Sequence, residues 1–520
     1  MLLPLLPLFA GVSLAAAYQA YNFSVPIDHF HNETRYAPHS NGTFNLRYWF
    51  DSTYYQPGGP VFVIAAGETD GEDRFEFLSQ GIVTQLAEAY NGLGVILEHR
   101  YYGESYPFPG ADVTVDELRF LSTEQSLADY AYFAKYVVFP GLEAHDLTAP
   151  NTPWIAYGGS YAGAQVAFMR KLYPSIFHGA VSSSGVTAAI IDYWKYFEPI
   201  RNYGPRDCIE SIQTLTDLID RILIDHPGNR TLHAQLQSAF GVNPAIDNRD
   251  FVNMLSTPLG SFQSRNWDPS VGSYEFRHYC DNITSTEPLY PANNATVLLP
   301  GLLKAAGYNA SNTTLLSSLR NYIGYISSSS SSSSKSESSE DDNGNGTSLP
   351  KSSGTSWNYQ VCTEWGYFMP GSSVPPSIKP LISRLIDLNY TSSFCASSYG
   401  IPFPPNVRLI NQHGGFNFSY PRVAIIGGTA DPWRDATPHA EGLPGRESTD
   451  EEPFILIDIE AEHVWDGIRG AVHHWDQNGL PKGANESEGV EVPEEIVAVQ
   501  KEIVRFVGGW LDSFETGEDL

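Results

Sequence analysis

Several short stretches of the chain are continuously apolar: Val61-Phe62-Val63-Ile64-Ala65, Gly94-Val95-Ile96-Leu97, Trp154-Ile155-Ala156-Tyr157 and Val423-Ala424-Ile425-Ile426. Runs of this length without polar alternation predict strands buried on both faces, as in a parallel sheet. Gly179-Ala180-Val181-Ser182-Ser183-Ser184 and Phe454-Ile455-Leu456-Ile457 add two more, and Thr43 to Trp49 reads as an extended segment leading into the core. Helical spacing intervenes. It covers Leu118 to Tyr136, where Ser122-Thr123-Glu124-Gln125 resembles a helix start, and Gln165, Val166, Phe168, Met169 and Leu172. A closing amphipathic helix buries Ile496, Ile503, Phe506, Val507 and Trp510. Strands alternating with helices indicate an α/β protein with a mainly parallel sheet.

The pattern changes after Asp192-Tyr193-Trp194-Lys195-Tyr196-Phe197. From there to about residue 405 the chain reads as helices and loops, and strand patterns return only afterwards. The expected organisation is a sheet domain in two parts, 18–198 and 406–520, with a mostly helical cap inserted at 199–405. Within the cap, 327–346 is an eight-serine run followed by Lys, Glu, Asp, Asn and Gly, which predicts a disordered loop. All four cysteines, Cys208, Cys280, Cys362 and Cys395, also fall in the cap. They have no C-x-x-C spacing, so two disulfides are expected rather than a metal site, with three pairings open.

Composition narrows the setting. A formal charge of −29 over 520 residues argues against nucleic acid as a partner, because phosphates would be repelled. Residues 1–17 are apolar and end in Ala15-Ala16-Ala17, which reads as a secretory signal peptide. No later stretch reaches spanning length, and the acidic end from Glu515 to Leu520 carries no lipid-anchor signal, so no membrane anchor is expected. Twelve asparagines fit the glycosylation sequon: Asn22, Asn32, Asn41, Asn229, Asn282, Asn294, Asn309, Asn312, Asn345, Asn389, Asn417 and Asn485. The expectation is a glycosylated monomer or homodimer, secreted or held in an acidic vacuolar or lysosomal compartment.

The chemistry centres on Tyr157-Gly158-Gly159-Ser160-Tyr161-Ala162-Gly163, where an apolar run ends in small residues around one serine and a helical pattern follows. Strand, sharp turn and helix with serine at the apex is the nucleophile elbow of α/β-hydrolases. Ser160 is the expected nucleophile, and the Tyr161 amide one donor to the oxyanion. The backbone at Gly67 and Glu68, just after Val61 to Ala65, is expected to supply the other; Glu68 has an alternative role as an anchor for a substrate amine. A serine hydroxyl needs an imidazole to take its proton and a carboxylate to fix the imidazole's tautomer. Asp431 follows the Val423 to Ile426 strand in Gly427-Gly428-Thr429-Ala430-Asp431-Pro432-Trp433, and His463 follows the Phe454 to Ile457 strand in Glu460-Ala461-Glu462-His463. His473 and His474 fall in a helix-like stretch and are expected to pack or face solvent. Glu98-His99-Arg100, at another strand's end, is expected to form a structural hydrogen-bond network. Neither metal nor cofactor is implied.

Taken together, Asp28-His29-Phe30, Glu98-His99-Arg100-Tyr101-Tyr102-Gly103, Thr123-Glu124-Gln125, Gly158-Gly159-Ser160-Tyr161, Gln360-Val361-Cys362-Thr363-Glu364-Trp365 and Asp431-Pro432-Trp433 resemble the family of prolyl carboxypeptidase, dipeptidyl peptidase II and fungal acid prolyl endopeptidases. The resemblance implies an α/β-hydrolase with a helical cap and a Ser160/Asp431/His463 triad. It implies peptide cleavage after proline through an acyl-enzyme, in an exo- or endopeptidase mode the sequence leaves open. It implies a substrate pocket containing Trp433, with Trp465 a looser candidate, and the pairings Cys362–Cys395 and Cys208–Cys280. Ala162 and Ala164 depart from the family pattern, Ala164 standing where the carboxypeptidase has a bulkier methionine. The alternatives are an esterase or lipase on the same fold, or a hydrolase-fold binding protein without catalysis.

Overall fold

The structure is a computed structural model describing residues 18–292, 294–333, 348–460, 466–479 and 492–514. Eight strands form its central sheet: β1 Tyr21–Pro26, β2 Thr43–Asp51, β3 Val61–Ala65, β4 Leu93–Leu97, β5 Trp154–Gly159, β6 Phe177–Ser183, β7 Val423–Gly428 and β8 Phe454–Ile457. Their spatial order is β1-β2-β4-β3-β5-β6-β7-β8. The β1/β2 and β2/β4 pairs are antiparallel and every other pair is parallel. The apolar runs predict this mainly parallel sheet, and the arrangement is the α/β-hydrolase fold that the serine elbow and the resemblance imply. β3 and β4 are buried along their whole length, as continuous apolar strands must be when helices cover both faces. The edge strand β1 instead alternates exposed and covered positions.

Two helices matter most for the site. α1, Thr123–Tyr136, starts where the sequence places a cap: the Ser122 side chain accepts a hydrogen bond from the Gln125 amide at 3.3 Å. α2, Ser160–Leu172, begins at the serine itself and packs on β5 and β6. The C-terminal helix Glu494–Asp512 buries Ile496, Ile503, Phe506, Val507 and Trp510, the stripe expected of it. The parallel strands all end at the same edge of the sheet, so the loops after β3, β5 and β7 lie along that edge, as in open α/β sheets generally.

Between β6 and β7 the chain leaves the sheet for a mainly helical insertion, including Arg206–Ile224, Glu275–Thr284, Thr313–Ser333, Ser353–Gln360 and Leu388–Tyr399. Its disulfides are Cys208–Cys280 and Cys362–Cys395, the pairs the resemblance implied. One expectation is corrected here. The tract read as disordered from Ser327 is helical as far as Ser333. Leu315, Leu319, Tyr322, Ile323 and Ile326 are buried along the preceding turns, and a helix already nucleated by such a stripe extends at little cost. The rest of that tract, the signal segment and Asn485 lie outside the described residues.

Of the twelve sequon asparagines, Asn22, Asn32, Asn41, Asn229, Asn309, Asn312, Asn389 and Asn417 are exposed. Asn282 is half-buried, with Nδ2 donating to the His278 carbonyl and Oδ1 accepting from the Tyr290 hydroxyl. The Asn294 and Asn345 side chains are outside the described set.

Candidate active site

Ser160 has φ +58°, a left-handed backbone conformation that costs a non-glycine residue energy and is tolerated here because the surroundings over-determine it. Those surroundings are visible in the glycines. A Cβ on Gly158 would lie 2.4 Å from the Ala162 carbonyl oxygen, and one on Gly163 would lie 2.8 Å from Gly185 Cα. Strand and helix are therefore in backbone contact, which holds the turn sharp. Ala162, where the motif usually has glycine, lies within α2 and does not need glycine's conformational freedom. As the second residue of α2, Tyr161 has an amide with no intrahelical acceptor, so its N–H is available at the apex.

The loop after β3 is fitted against the elbow. Gly67 has φ +73°, and a Cβ there would meet Ala162 Cβ at 3.1 Å. Gly67→Ala is expected to shift this loop and lower kcat/KM by about 10-fold or more, since removing one oxyanion donor typically costs 100-fold or above. Steady-state kinetics checks this, with kcat carrying most of the loss.

Asp431 ends up where the sequence places an acid, just beyond β7 and buried. Its partner differs from the expectation. His473 Nδ1 lies 3.0 Å from Asp431 Oδ1 and 2.9 Å from Oδ2. The Trp433 amide also donates to Oδ1, at 2.9 Å. The carboxylate thus directs its acceptor capacity at one imidazole, placing the proton on Nδ1 and the lone pair on Nε2. His463 and Trp465 lie outside the described residues. The imidazole that the structure brings to Asp431 is that of His473. The reading of His473 and His474 as helical is also corrected, because 473–477 is a buried turn, not a helix.

That turn is fastened from several directions. The Ala430 amide donates to the Ala471 carbonyl at 2.9 Å, and the His474 amide to Ser184 Oγ at 3.0 Å. Asp476 accepts from Ser183 Oγ at 2.5 Å and from the Tyr157 hydroxyl. From the insertion, Arg265 donates to Asp466 Oδ2 and to the Ile468 carbonyl, each at 2.6 Å, while its own carbonyl accepts from Trp475 Nε1 at 2.9 Å.

Ser160, His473 and His474 line one cavity of about 300 Å³ together with Glu68, Arg74, Val186, Gln263, Ser264, Trp357, Tyr367 and Trp433. One wall is aromatic. The Trp433 ring stacks on Tyr193 with centroids 5.5 Å apart, and meets Tyr367 edge-on at 5.0 Å. Its Nε1 donates to Gln263 Oε1 at 2.8 Å, which fixes the ring face. Glu68 is half-buried, and Oε2 has no hydrogen-bond partner among the described residues. Burial raises its carboxyl above the usual range, against the opposing pull of Arg74 and His473. Burial, reinforced by His473 and Arg74, drives His474 far towards its neutral form.

The Glu98-His99-Arg100 trio forms the expected structural network. Glu98 accepts from Arg47 Nε and Nη2 at 3.0 and 2.6 Å. Arg100 donates to both oxygens of Asp129 at 2.6 and 2.7 Å, and His29 Nε2 lies 2.8 Å from the same carboxylate. Burial pushes the His99 pKa down to about 4. Its Nδ1 donates to the Arg100 carbonyl at 2.6 Å, so Nε2 accepts from the Tyr161 hydroxyl at 3.0 Å. The insertion reaches the same tyrosine: Gln360 Nε2 donates to the hydroxyl at 2.7 Å, and Trp357 and Trp365 lie edge-on to the ring. Glu364 accepts from the Thr123 amide and hydroxyl, each at 2.9 Å.

Comparison with known proteins gives a consistent result. The family described as Serine carboxypeptidase S28 matches residues 25–455, a span that ends before His473. A "Probable extracellular serine carboxypeptidase" of Arthroderma benhamiae is 45% identical over 505 residues, covering 95% of this chain and 68% of that protein. A serine protease of Bipolaris victoriae is 27% identical over 437 residues, covering 80% of this chain and 79% of the relative. The thymus-specific serine protease of Mus musculus is 25% identical over 462 residues, covering 85% and 81%.

Proposed function

The chain belongs to the serine carboxypeptidase S28 family of serine peptidases, and on that premise we propose that it cleaves peptides after proline with Ser160, His473 and Asp431 as its triad. The observation that carries the assignment is that His473, held by Asp431, lines the same cavity as a serine at positive φ. His473 Nε2 takes the Ser160 proton as Oγ attacks the scissile carbonyl. The Tyr161 amide and the backbone at Gly67 and Glu68 hold the oxyanion. His473 then returns the proton to the leaving amine, and water releases the acyl-enzyme by the same path.

The aromatic wall supports the preference for proline. A proline residue presents a flat, rigid ring and contributes no amide hydrogen. It gains most from an apolar surface whose faces are already oriented, and Trp433, Tyr367, Trp357 and Val186 supply one. The sequons exposed on the surface and the extracellular name of the Arthroderma relative support a secreted glycoprotein. No helix among the described residues is long and apolar enough to cross a membrane.

Hydrolysis of matched peptides with Pro, Ala or Leu before the scissile bond tests the reading. The proline peptide is expected to be preferred, and Trp433→Ala is expected to lower its kcat/KM by about 10-fold, because a ring that size contributes several times the burial energy of a methyl. Equal turnover of all three peptides would sink the proline preference, and hydrolysis of esters alone would make the protein an esterase.

A further inference from the structure

Asp28 opens a motif that the reaction leaves without a task, and it does not line the catalytic cavity. It lies in the connection between β1 and β2, residues 27–42, and is only 1% exposed. Its Oδ1 is engaged from two sides, accepting from the Phe30 amide and from Gln125 Nε2, each at 2.8 Å. Gln125, in α1, also accepts from the His29 amide through Oε1 at 2.9 Å, so the carboxylate is locked in orientation. That leaves Oδ2 turned towards His39, whose Nδ1 lies 2.7 Å away. A buried charge is ordinarily matched by an opposite charge or a metal ion. Among the described residues no lysine or arginine pairs with Asp28, and His39 is cationic only in acid. At neutral pH the carboxylate has hydrogen bonds and no cation in contact.

His31 completes a cluster. Its ring centroid lies 5.5 Å from that of His39. One ring nitrogen of each histidine and a carboxylate oxygen of Asp28 all lie within 4.8 Å of one another. A tetrahedral Zn2+ with bonds of about 2.0–2.2 Å holds its ligand atoms about 3.4 Å apart. The 2.7 Å pair and the 4.8 Å limit bracket that spacing. Both histidines are exposed, so their rings have room to adjust around an ion while the carboxylate stays fixed. Two imidazoles and one carboxylate suit a borderline ion such as Zn2+, whereas Ca2+ and Mg2+ take oxygen ligands. Binding through His39 Nδ1 moves that nitrogen's proton to Nε2, leaving a neutral ring with its lone pair on the ion. Gln125 and the Phe30 amide are placed as the outer partners that hold a ligating carboxylate in position. The chain's charge of −29 draws cations to its surface.

We propose that Asp28, His31 and His39 form a Zn2+ site, with water in the fourth position, that clips the β1–β2 connection onto α1. The same connection carries Arg35, which pairs with Glu124 of α1 and lies 3.6 Å from Glu364 of the insertion. The ion thus braces the segment where sheet, α1 and insertion meet. Its role is structural, and it stands independently of the peptidase reading above.

The test uses the whole chain without an affinity tag, stripped of metal with EDTA and dialysed. Calorimetric titration with Zn2+ is expected to give one site per chain with a Kd of about 1 µM, weaker than four-ligand structural sites. Saturating Zn2+ is expected to raise the thermal midpoint by about 2–4 °C, and the same concentration of Ca2+ to leave it unmoved. His31→Ala and His39→Ala are expected to weaken Zn2+ binding by about 100-fold, while His145→Ala, at another exposed histidine, keeps it. Protection of His31 and His39 from diethyl pyrocarbonate by Zn2+, read by peptide mass spectrometry, locates the ion without any substitution. A wild type that binds no Zn2+ would overturn the proposal. So would full binding by both His31→Ala and His39→Ala, a Ca2+ shift equal to that of Zn2+, or equal labelling of the two histidines with and without the ion.

Discussion

His473→Ala is expected to lower kcat by about 10,000-fold or more, matching Ser160→Ala, while His463→Ala costs less than about 10-fold. The magnitude follows from how triads behave: removing the base or the nucleophile leaves only binding and the oxyanion donors to act. The two single losses should not add in a double variant, since each already disables the same step. The discriminating comparison is between the two histidines. His473 is held by both oxygens of Asp431 and by a turn that Ser184, Asp476 and Arg265 fasten in place. If His463→Ala is the inactive variant and His473→Ala keeps most activity, the base returns to the position beyond β8. Circular dichroism of each variant separates loss of chemistry from loss of fold.

The second large effect concerns stability. Asp129→Ala is expected to cost about 3–5 kcal/mol, because Arg100 would be left buried without its counter-charge. His29 would lose its partner as well. The native Asp129 carboxyl lies below the usual range: burial alone would raise it, but the charge and hydrogen bonds of Arg100 and His29 outweigh that. The sign of the pH dependence follows. A depressed acid stabilises the fold above its unfolded value, 3.8, and loses that contribution as pH falls through the native value. The deficit of Asp129→Ala, read from urea midpoints, should therefore be full at pH 6 and shrink in strong acid. Asp129→Asn keeps the shape without the charge and should fall between the two. A cost below about 1 kcal/mol at pH 6 would mean the pair contributes only fit.

What the sequence shows and what it hides divide along a physical line. β3 is legible to the residue because a strand covered on both faces must be continuously apolar, and β8, a half-buried edge strand, because its four residues are all apolar. β1 is missed because a half-exposed edge strand ending at Pro26 has no such run. Ser160 and Asp431 are legible because each sits directly after a strand, so local pattern and position coincide. His473 is not. It stands well beyond β8 in sequence, and its position is set by Asp431, Ser184 and Arg265, which are remote from it in the chain. The clue present was compositional: Ala471-Val472 before it and Trp475 after it mark the turn as core-packed, and all three are buried. Glu98-His99-Arg100 reads correctly as structural because charged residues at a buried strand end need partners. The cavity wall escapes such reading altogether, since Val186, Gln263, Trp357, Tyr367 and Trp433 come from separate elements.

Tyr161 is held at both ends. Its amide lies in the first turn of α2, next to Ser160, and its hydroxyl is gripped by Gln360 while Trp357 and Trp365 brace the ring. Lifting that part of the insertion would drag on the residue next to the nucleophile, and the opposite side is pinned by Arg265 on Asp466. A roof bolted down on two sides does not open like a lid. Any opening of the insertion would have to break the Gln360–Tyr161 bond or the Arg265–Asp466 pair first, a barrier set by the protein and the same for every substrate.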